Sequence, residues 1–78
     1  MIIEIVHSYL EQKLGRKFEL DGEDVRGFEP SEHIRISYWR IYGLVVCISG
    51  CWHIIDIREP DSLDRIYKLV SDALELGP

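Results

Sequence analysis

Apolar residues recur along residues 2–14 with the spacing of one face of an α-helix, while polar residues occupy the opposite side. Gly15 follows where a glycine at the C′ position ends a helix, and Lys13, Arg16 and Lys17 suit its negative end. The pattern therefore predicts an amphipathic helix that ends at Gly15. Its apolar face is formed by Ile2, Ile3, Val6, Tyr9, Leu10 and Leu14.

The same spacing returns near the C-terminus, after Pro60. Asp61 is a suitable N-cap residue, and the pair Gly77 and Pro78 marks the end of the helix. We therefore expect a second amphipathic helix that closes the chain. The residues predicted to face the core are Leu63, Ile66, Tyr67, Val70, Ala73 and Leu74.

The middle of the chain has the patterns of β-strands. Residues 33–38 alternate between apolar and polar side chains, which predicts a half-buried strand. Residues 44–48 and 51–57 are apolar on both faces, and their short connections predict a three-stranded antiparallel meander. Alternation at 17–20 indicates a further short strand, whereas 21–32 is predicted as a loop that places Val25 and Phe28 on the core.

These elements predict a single α+β domain over residues 1–78. The element order is αβββα, with a short fourth strand at 17–20, and both helices pack on one face of the meander. Because the last two strands are apolar on both sides, one apolar face of the sheet is left without a helix. Alternatively, the helices straddle the sheet, or the 21–32 loop covers its second face.

Which face is left open depends on the turn near Gly43, because a shift of one residue turns every side chain to the other face. A three-residue loop at 41–43 leaves one set of residues outside: Arg35, Ser37, Trp39, Val45, Cys47, His53, Ile55 and Ile57. A four-residue loop exposes Trp39, Leu44, Val46, Trp52 and Ile54 instead. The sequence leaves both registers open.

In either register, large apolar side chains remain outside a one-sided core, and such patches are typical of protein interfaces. Aromatic residues next to arginine, as in 38–42, are typical anchors of these interfaces. The leading hypothesis is a non-enzymatic interaction module that forms a homodimer through the open sheet face. The candidate interface residues are Trp39, Tyr42, Val45, Trp52, Ile55 and Ile57.

The chain has a net charge of −5 and lacks a stripe of basic residues, which argues against nucleic acid as a partner. It has no basic N-terminal region before an apolar run and no run long enough to span a membrane, so the expected location is cytoplasmic. The lack of Asn and Thr, with abundant charge, is reported for heat-adapted proteins. Acidic segments at 19–24 and 29–32 support a second hypothesis, an inhibitor or adaptor that binds a basic protein.

Residues 45–53 carry two cysteines, a tryptophan and a histidine. A three-residue turn at 48–50 places Cys47 opposite Cys51, where a disulfide can form, whereas a two-residue turn at 49–50 places them on opposite faces. Cys47, Cys51, His53 and His33 form the one nearby set of soft metal ligands, which gives a third hypothesis, a metal- or redox-responsive module.

The sequence indicates neither catalysis nor a cofactor. It contains no phosphate-binding loop, no nucleotide-binding glycine motif and no catalytic triad, and 78 residues leave little room to enclose a small-molecule substrate. We therefore expect the chain not to be an enzyme.

Overall fold

The protein is described by a computed structural model that covers residues 2–20 and 27–76. The described residues form two helices and a four-stranded antiparallel sheet of strand order β1-β2-β3-β4. The predicted α+β class is confirmed, with four strands in the sheet. The elements are α1 (Ile2–Leu14), β1 (Gly27–Ser31), β2 (Ile34–Trp39), β3 (Gly43–Ile48), β4 (Cys51–Ile55) and α2 (Ser62–Leu76).

Helix α1 ends as its sequence predicts. Gly15 adopts φ 66°, and the N–H groups of Gly15 and Arg16 both donate to the Glu11 carbonyl, at 2.9 and 3.3 Å. This left-handed C-terminal turn satisfies a carbonyl that the helix itself leaves without a partner. Ile3, Val6 and Leu10 are fully buried, which confirms the predicted apolar face.

Helix α2 begins where Asp61 predicts, because the Asp61 carbonyl accepts the first helical hydrogen bond from the Arg65 N–H at 3.0 Å. The Tyr9 hydroxyl of α1 donates to Asp64 Oδ1 at 2.9 Å and so links the two helices. This hydrogen bond to a carboxylate raises the pKa of Tyr9 above its usual range.

Both helices pack against one side of the sheet, which we call the inner face. Sheet and helices share a single apolar cluster whose members are buried to 8% exposure or less. This core cluster contains Ile3, Val6, Leu10, Phe18, Phe28, Ile34, Ile36, Leu44, Val46, Ile55, Ile66, Val70 and Ala73. The opposite side of the sheet, which neither helix covers, is called the outer face.

The fourth strand lies in a different place from the one predicted. In the predicted segment 17–20, Leu20 alone makes an isolated bridge, to Phe28, and the backbone of Phe18 bonds to helix side chains instead. Its N–H donates to Glu11 Oε2 at 2.9 Å, and its carbonyl accepts from His7 Nε2. Because α1 satisfies both groups, the segment has less need of a sheet partner.

Strand β1 instead forms at Gly27–Ser31, inside the segment predicted as a loop. Phe28 pairs with Ile36 and is buried, as predicted, whereas Val25 lies outside the described residues. A Cβ atom on Gly27 would lie 2.8 Å from the Ile36 carbonyl oxygen. The strand therefore approaches β2 at a distance that glycine allows and alanine does not.

The β2–β3 connection is a three-residue loop at 40–42, one position earlier than the loop considered from the sequence. It pairs Tyr38 with Leu44 instead of Val46, a shift of two residues that keeps the same side chains on each face. Ile34, Ile36, Leu44 and Val46 therefore point to the helices.

Among the described residues, neither helix is long and apolar enough to cross a membrane.

Candidate interaction surface

Two tryptophans stack on the outer face. Trp39 lies at the end of β2 and Trp52 in β4, with β3 between them, and their ring centroids are 6.1 Å apart at an interplanar angle of 29°. The Trp39 indole N–H donates to Ser37 Oγ at 3.0 Å, which fixes the ring above its own strand. Trp39 and Trp52 nevertheless remain 47% and 57% exposed.

Val45 lies in β3, the strand between these two tryptophans, on the side of the sheet away from the core. It pairs with Ser37 on one side and Ile54 on the other, and it is 1% exposed although it does not belong to the core cluster. The outer face therefore carries a small apolar cluster formed by Trp39, Val45, Trp52 and Ile54.

The turn at Ser49 and Gly50 places Trp52 in this cluster. Both residues have positive φ, 50° and 85°, the pattern of a two-residue type I′ hairpin, and Ile48 pairs with Cys51. Trp52 then lies opposite Cys47. Neither register considered from the sequence is therefore right for the whole sheet. Strands β2 and β3 have the faces expected from the three-residue loop, but β4 has its two faces exchanged, so that Trp52 and Ile54 lie on the outer face.

The structure brings together three of the six predicted interface residues, Trp39, Val45 and Trp52. Tyr42 lies in the β2–β3 loop and is exposed. The placement of Ile55 on the open face is wrong, since it is 2% exposed in the core opposite Leu44, and Ile57 also packs against the core.

Two exposed residues were missing from the predicted interface, Ile41 and Ile54, which are 87% and 52% exposed. Ile54 has a sequence signal, because a residue two positions from Trp52 in a strand must share its face. Ile41 lies in a loop, and its sequence context gives no comparable signal.

Charge on the strands of the outer face is balanced. Arg35 Nη1 lies 3.1 Å from Glu29 Oε1, in an exposed ion pair between β2 and β1. Glu19 and Glu32 are exposed, while the rest of the acidic segment 19–24, residues 21–24, lies outside the described residues. The remaining strand positions on this face are apolar or neutral.

The two cysteines lie on opposite faces of the sheet and are both free thiols. The disulfide that the sequence left open is therefore excluded by the two-residue turn. His33 bonds through both ring nitrogens, Nδ1 to Ser31 Oγ at 2.8 Å and Nε2 to the Ala73 carbonyl at 3.3 Å. In the part of the chain that the structure describes, no three His, Cys, Asp or Glu residues are grouped to hold a metal ion.

Comparisons of the chain with protein-family models, curated proteins and solved structures give no match. Its function is therefore inferred from the geometry and chemistry of its own surface.

Proposed function

We propose that this chain is a non-enzymatic interaction module that forms a homodimer through the outer face of its sheet. The observation that carries the proposal is the exposed stack of Trp39 and Trp52 on a face without a helix. Tryptophan is strongly enriched among the residues that dominate binding energy at protein interfaces. Here the two rings are already positioned, so little side-chain entropy is lost on association.

The exposed apolar area is sufficient for such a dimer. Trp39, Trp52 and Ile54 on the outer face, with Ile41 and Tyr42 in the adjoining β2–β3 loop, are all about half exposed or more, and together they expose on the order of 600 Å². Two copies would bury roughly 1,200 Å², which is the lower limit for a specific and stable interface. A patch of this size is at the upper end of what monomeric proteins expose.

The charge distribution also supports contact between identical copies. Each chain carries −5, so two copies repel each other unless they meet where the local charge is low. The strands of the outer face contribute the Glu29–Arg35 ion pair and otherwise neutral side chains. In a two-fold dimer this pair can exchange partners without adding net charge.

Solution mass tests the proposal. Sedimentation equilibrium over a range of concentrations should give twice the chain mass of 9.1 kDa. The substitution Ile54→Thr should raise the dimer dissociation constant by roughly tenfold, since it removes exposed apolar surface from the interface. Threonine keeps the β-branch and therefore the strand propensity of the position.

Ile5→Thr is the matched control. Ile5 is 58% exposed, close to the 52% of Ile54, but it lies on α1 and away from the outer face. It should leave the dissociation constant unchanged. A monomer at the highest concentration, or equal weakening by both substitutions, would contradict the proposal.

A further inference from the structure

Strand β4 is an edge of the sheet and leaves part of its backbone unpaired. The type I′ turn makes Ile48 and Cys51 a hydrogen-bonded pair, so Cys51, His53 and Ile55 bond to β3. Trp52 and Ile54 alternate with them, and their N–H and C=O groups therefore point away from the sheet. Among the described residues, no further strand pairs with β4 on this side.

The two edges of the sheet differ in how they are protected. Strand β1 contains Glu29 and Pro30 and has a register irregularity between Phe28 and Ser31. On the edge of β1 that faces away from β2, Phe28 forms an isolated bridge with Leu20. Charge, proline and bulges are the features by which proteins prevent strands from adding to an edge. Strand β4 has none of them within Cys51–Ile55.

A groove of about 370 Å³ runs beside this open edge, between β4 and α2. The side that α2 contributes is basic, although the chain as a whole is acidic. Arg65 lies 3.8 Å from Glu59 in an exposed contact, and the Lys68 ammonium has no carboxylate within 4.0 Å among the described residues. The lining residues are His53, Ile54, Ile55, Arg65, Lys68 and Leu69.

We propose that this groove binds an extended acidic segment of a partner protein, which adds to β4 as a fifth strand. In a strand paired with β4, alternate side chains lie on the same side as His53 and therefore face Arg65 and Lys68. Carboxylates at those positions would form ion pairs with Arg65 and Lys68. The intervening side chains would lie beside Trp52 and Ile54, where apolar residues fit.

A second copy of β4 fits this edge less well. An antiparallel pair of β4 strands would bring His53, Arg65 and Lys68 close to the same residues of the other copy. Like charges across an interface are strongly unfavourable. The chemistry of the groove therefore favours an acidic segment, and the groove adjoins the outer face proposed for the homodimer, with which it shares Ile54.

The test uses fluorescent heptapeptides of alternating valine and glutamate, capped at both ends, with fluorescence anisotropy as the measurement. The glutamate peptide should bind, and its affinity should fall as salt is added. A valine and lysine peptide of the same length should bind at least roughly tenfold more weakly. Methylation of the amides on one edge of the glutamate peptide should also abolish binding, because strand addition needs those N–H groups.

Lys68→Glu should weaken binding of the glutamate peptide by roughly fivefold or more, whereas Lys17→Glu, which makes the same change in net charge outside the groove, should not. In NMR spectra the Trp52 and Ile54 amides should shift on binding. The proposal is overturned if the glutamate peptide does not bind, or binds no better than its lysine or methylated counterpart. It is also overturned if these two amides are already protected by a second copy that the peptide does not displace.

Discussion

At the scale of single residues, the turn at Ser49 determines which side chains of β4 lie on the outer face, and it requires an unfavourable backbone conformation at Ser49. Its φ of 50° lies in the left-handed region, which asparagine, aspartate and glycine tolerate better than serine. Its N–H donates to the His33 carbonyl at 2.8 Å, so the turn is also tied to the start of β2. The position is therefore held in an unfavourable conformation by its surroundings.

We predict that Ser49→Asn increases the free energy of unfolding by about 0.5–1 kcal/mol, because asparagine followed by glycine is the preferred type I′ sequence. Denaturant unfolding followed by circular dichroism measures the change. Ser8→Asn, an equivalent change at an exposed position of α1, should alter stability by less than about 0.5 kcal/mol. Equal or lower stability of Ser49→Asn would show that the turn is not under strain.

At the scale of elements, the connection from β4 to α2 is organised by Asp56. Its carboxylate accepts the Arg58 N–H at 2.9 Å, and it also accepts two bonds from the Arg58 guanidinium, at 3.1 and 3.0 Å. The guanidinium bonds and then the backbone bond lower the pKa of Asp56 below its usual range. The folded chain therefore binds a proton at Asp56 less readily than the unfolded chain does.

We predict that Arg58→Gln raises the pKa of Asp56 toward its usual value, with part of the depression kept by the backbone bond. Because the folded-state pKa is the lower one, Asp56 stabilises the fold above the unfolded-state pKa, and this contribution is lost as the pH falls through the folded-state pKa. Wild type and Arg58→Gln should thus differ most at neutral pH and converge in strong acid. Carboxyl NMR titration measures the pKa of Asp56, and denaturant unfolding at neutral pH and in strong acid measures the difference in stability.

Arg40→Gln provides the control for a change of net charge. Arg40 lies in the exposed β2–β3 loop, and among the described residues it has no carboxylate within 4.0 Å. Its substitution should leave the Asp56 titration unchanged. An identical shift in both variants would mean that overall charge, and not the hydrogen bonds from the Arg58 guanidinium, sets the pKa of Asp56.

The same scale shows how far the sequence specifies the fold. Both helices and β2 were predictable because each has one buried face, and one buried face produces a periodic pattern. Strand β1 was not, because Gly27 and Pro30 are typical of loops and its register is irregular. The face of β4 was not predictable because Cys51–Ile55 is apolar on both sides and a serine–glycine turn fits two hairpin lengths.

The candidate site depends on that one turn. With two turn residues, Trp52 joins Trp39 on the outer face, and with three it would enter the core in place of His53 and Ile55. The sequence placed Trp39, Val45 and Trp52 among the interface candidates, and the structure brings these three together on the outer face. The placement of Ile55 required the register, which is a property of the folded sheet.

At the scale of the whole molecule, two layers of structure leave two surfaces of different chemistry. Among the described residues, the strands of the outer face are apolar or neutral apart from the Glu29–Arg35 ion pair, and the groove between β4 and α2 is lined by Arg65 and Lys68. Both lie on a chain with a net charge of −5. Association through these two surfaces should therefore respond to salt in opposite directions, because one is opposed by long-range repulsion and the other is favoured by local attraction.

We predict that added sodium chloride strengthens the proposed homodimer. Two charges of −5 whose centres lie 25 Å apart, the shortest extent of the molecule, repel by about 4 kcal/mol in water without salt. Screening reduces this repulsion to about 2 kcal/mol at about 0.01 M salt and to a few tenths of a kcal/mol at about 0.1 M. The dissociation constant from sedimentation equilibrium should therefore fall by about tenfold between these two conditions.

Changes in net charge outside the interface should scale this salt effect. Lys17→Glu takes the net charge from −5 to −7 and so nearly doubles the repulsion, whereas Glu19→Lys takes it from −5 to −3 and reduces the repulsion to about a third. The first variant should show a steeper dependence on salt than wild type, and the second a shallower one. If salt weakened the dimer, ion pairs such as Glu29–Arg35 exchanged between copies would have to hold it together, and an interface centred on the two tryptophans would be contradicted.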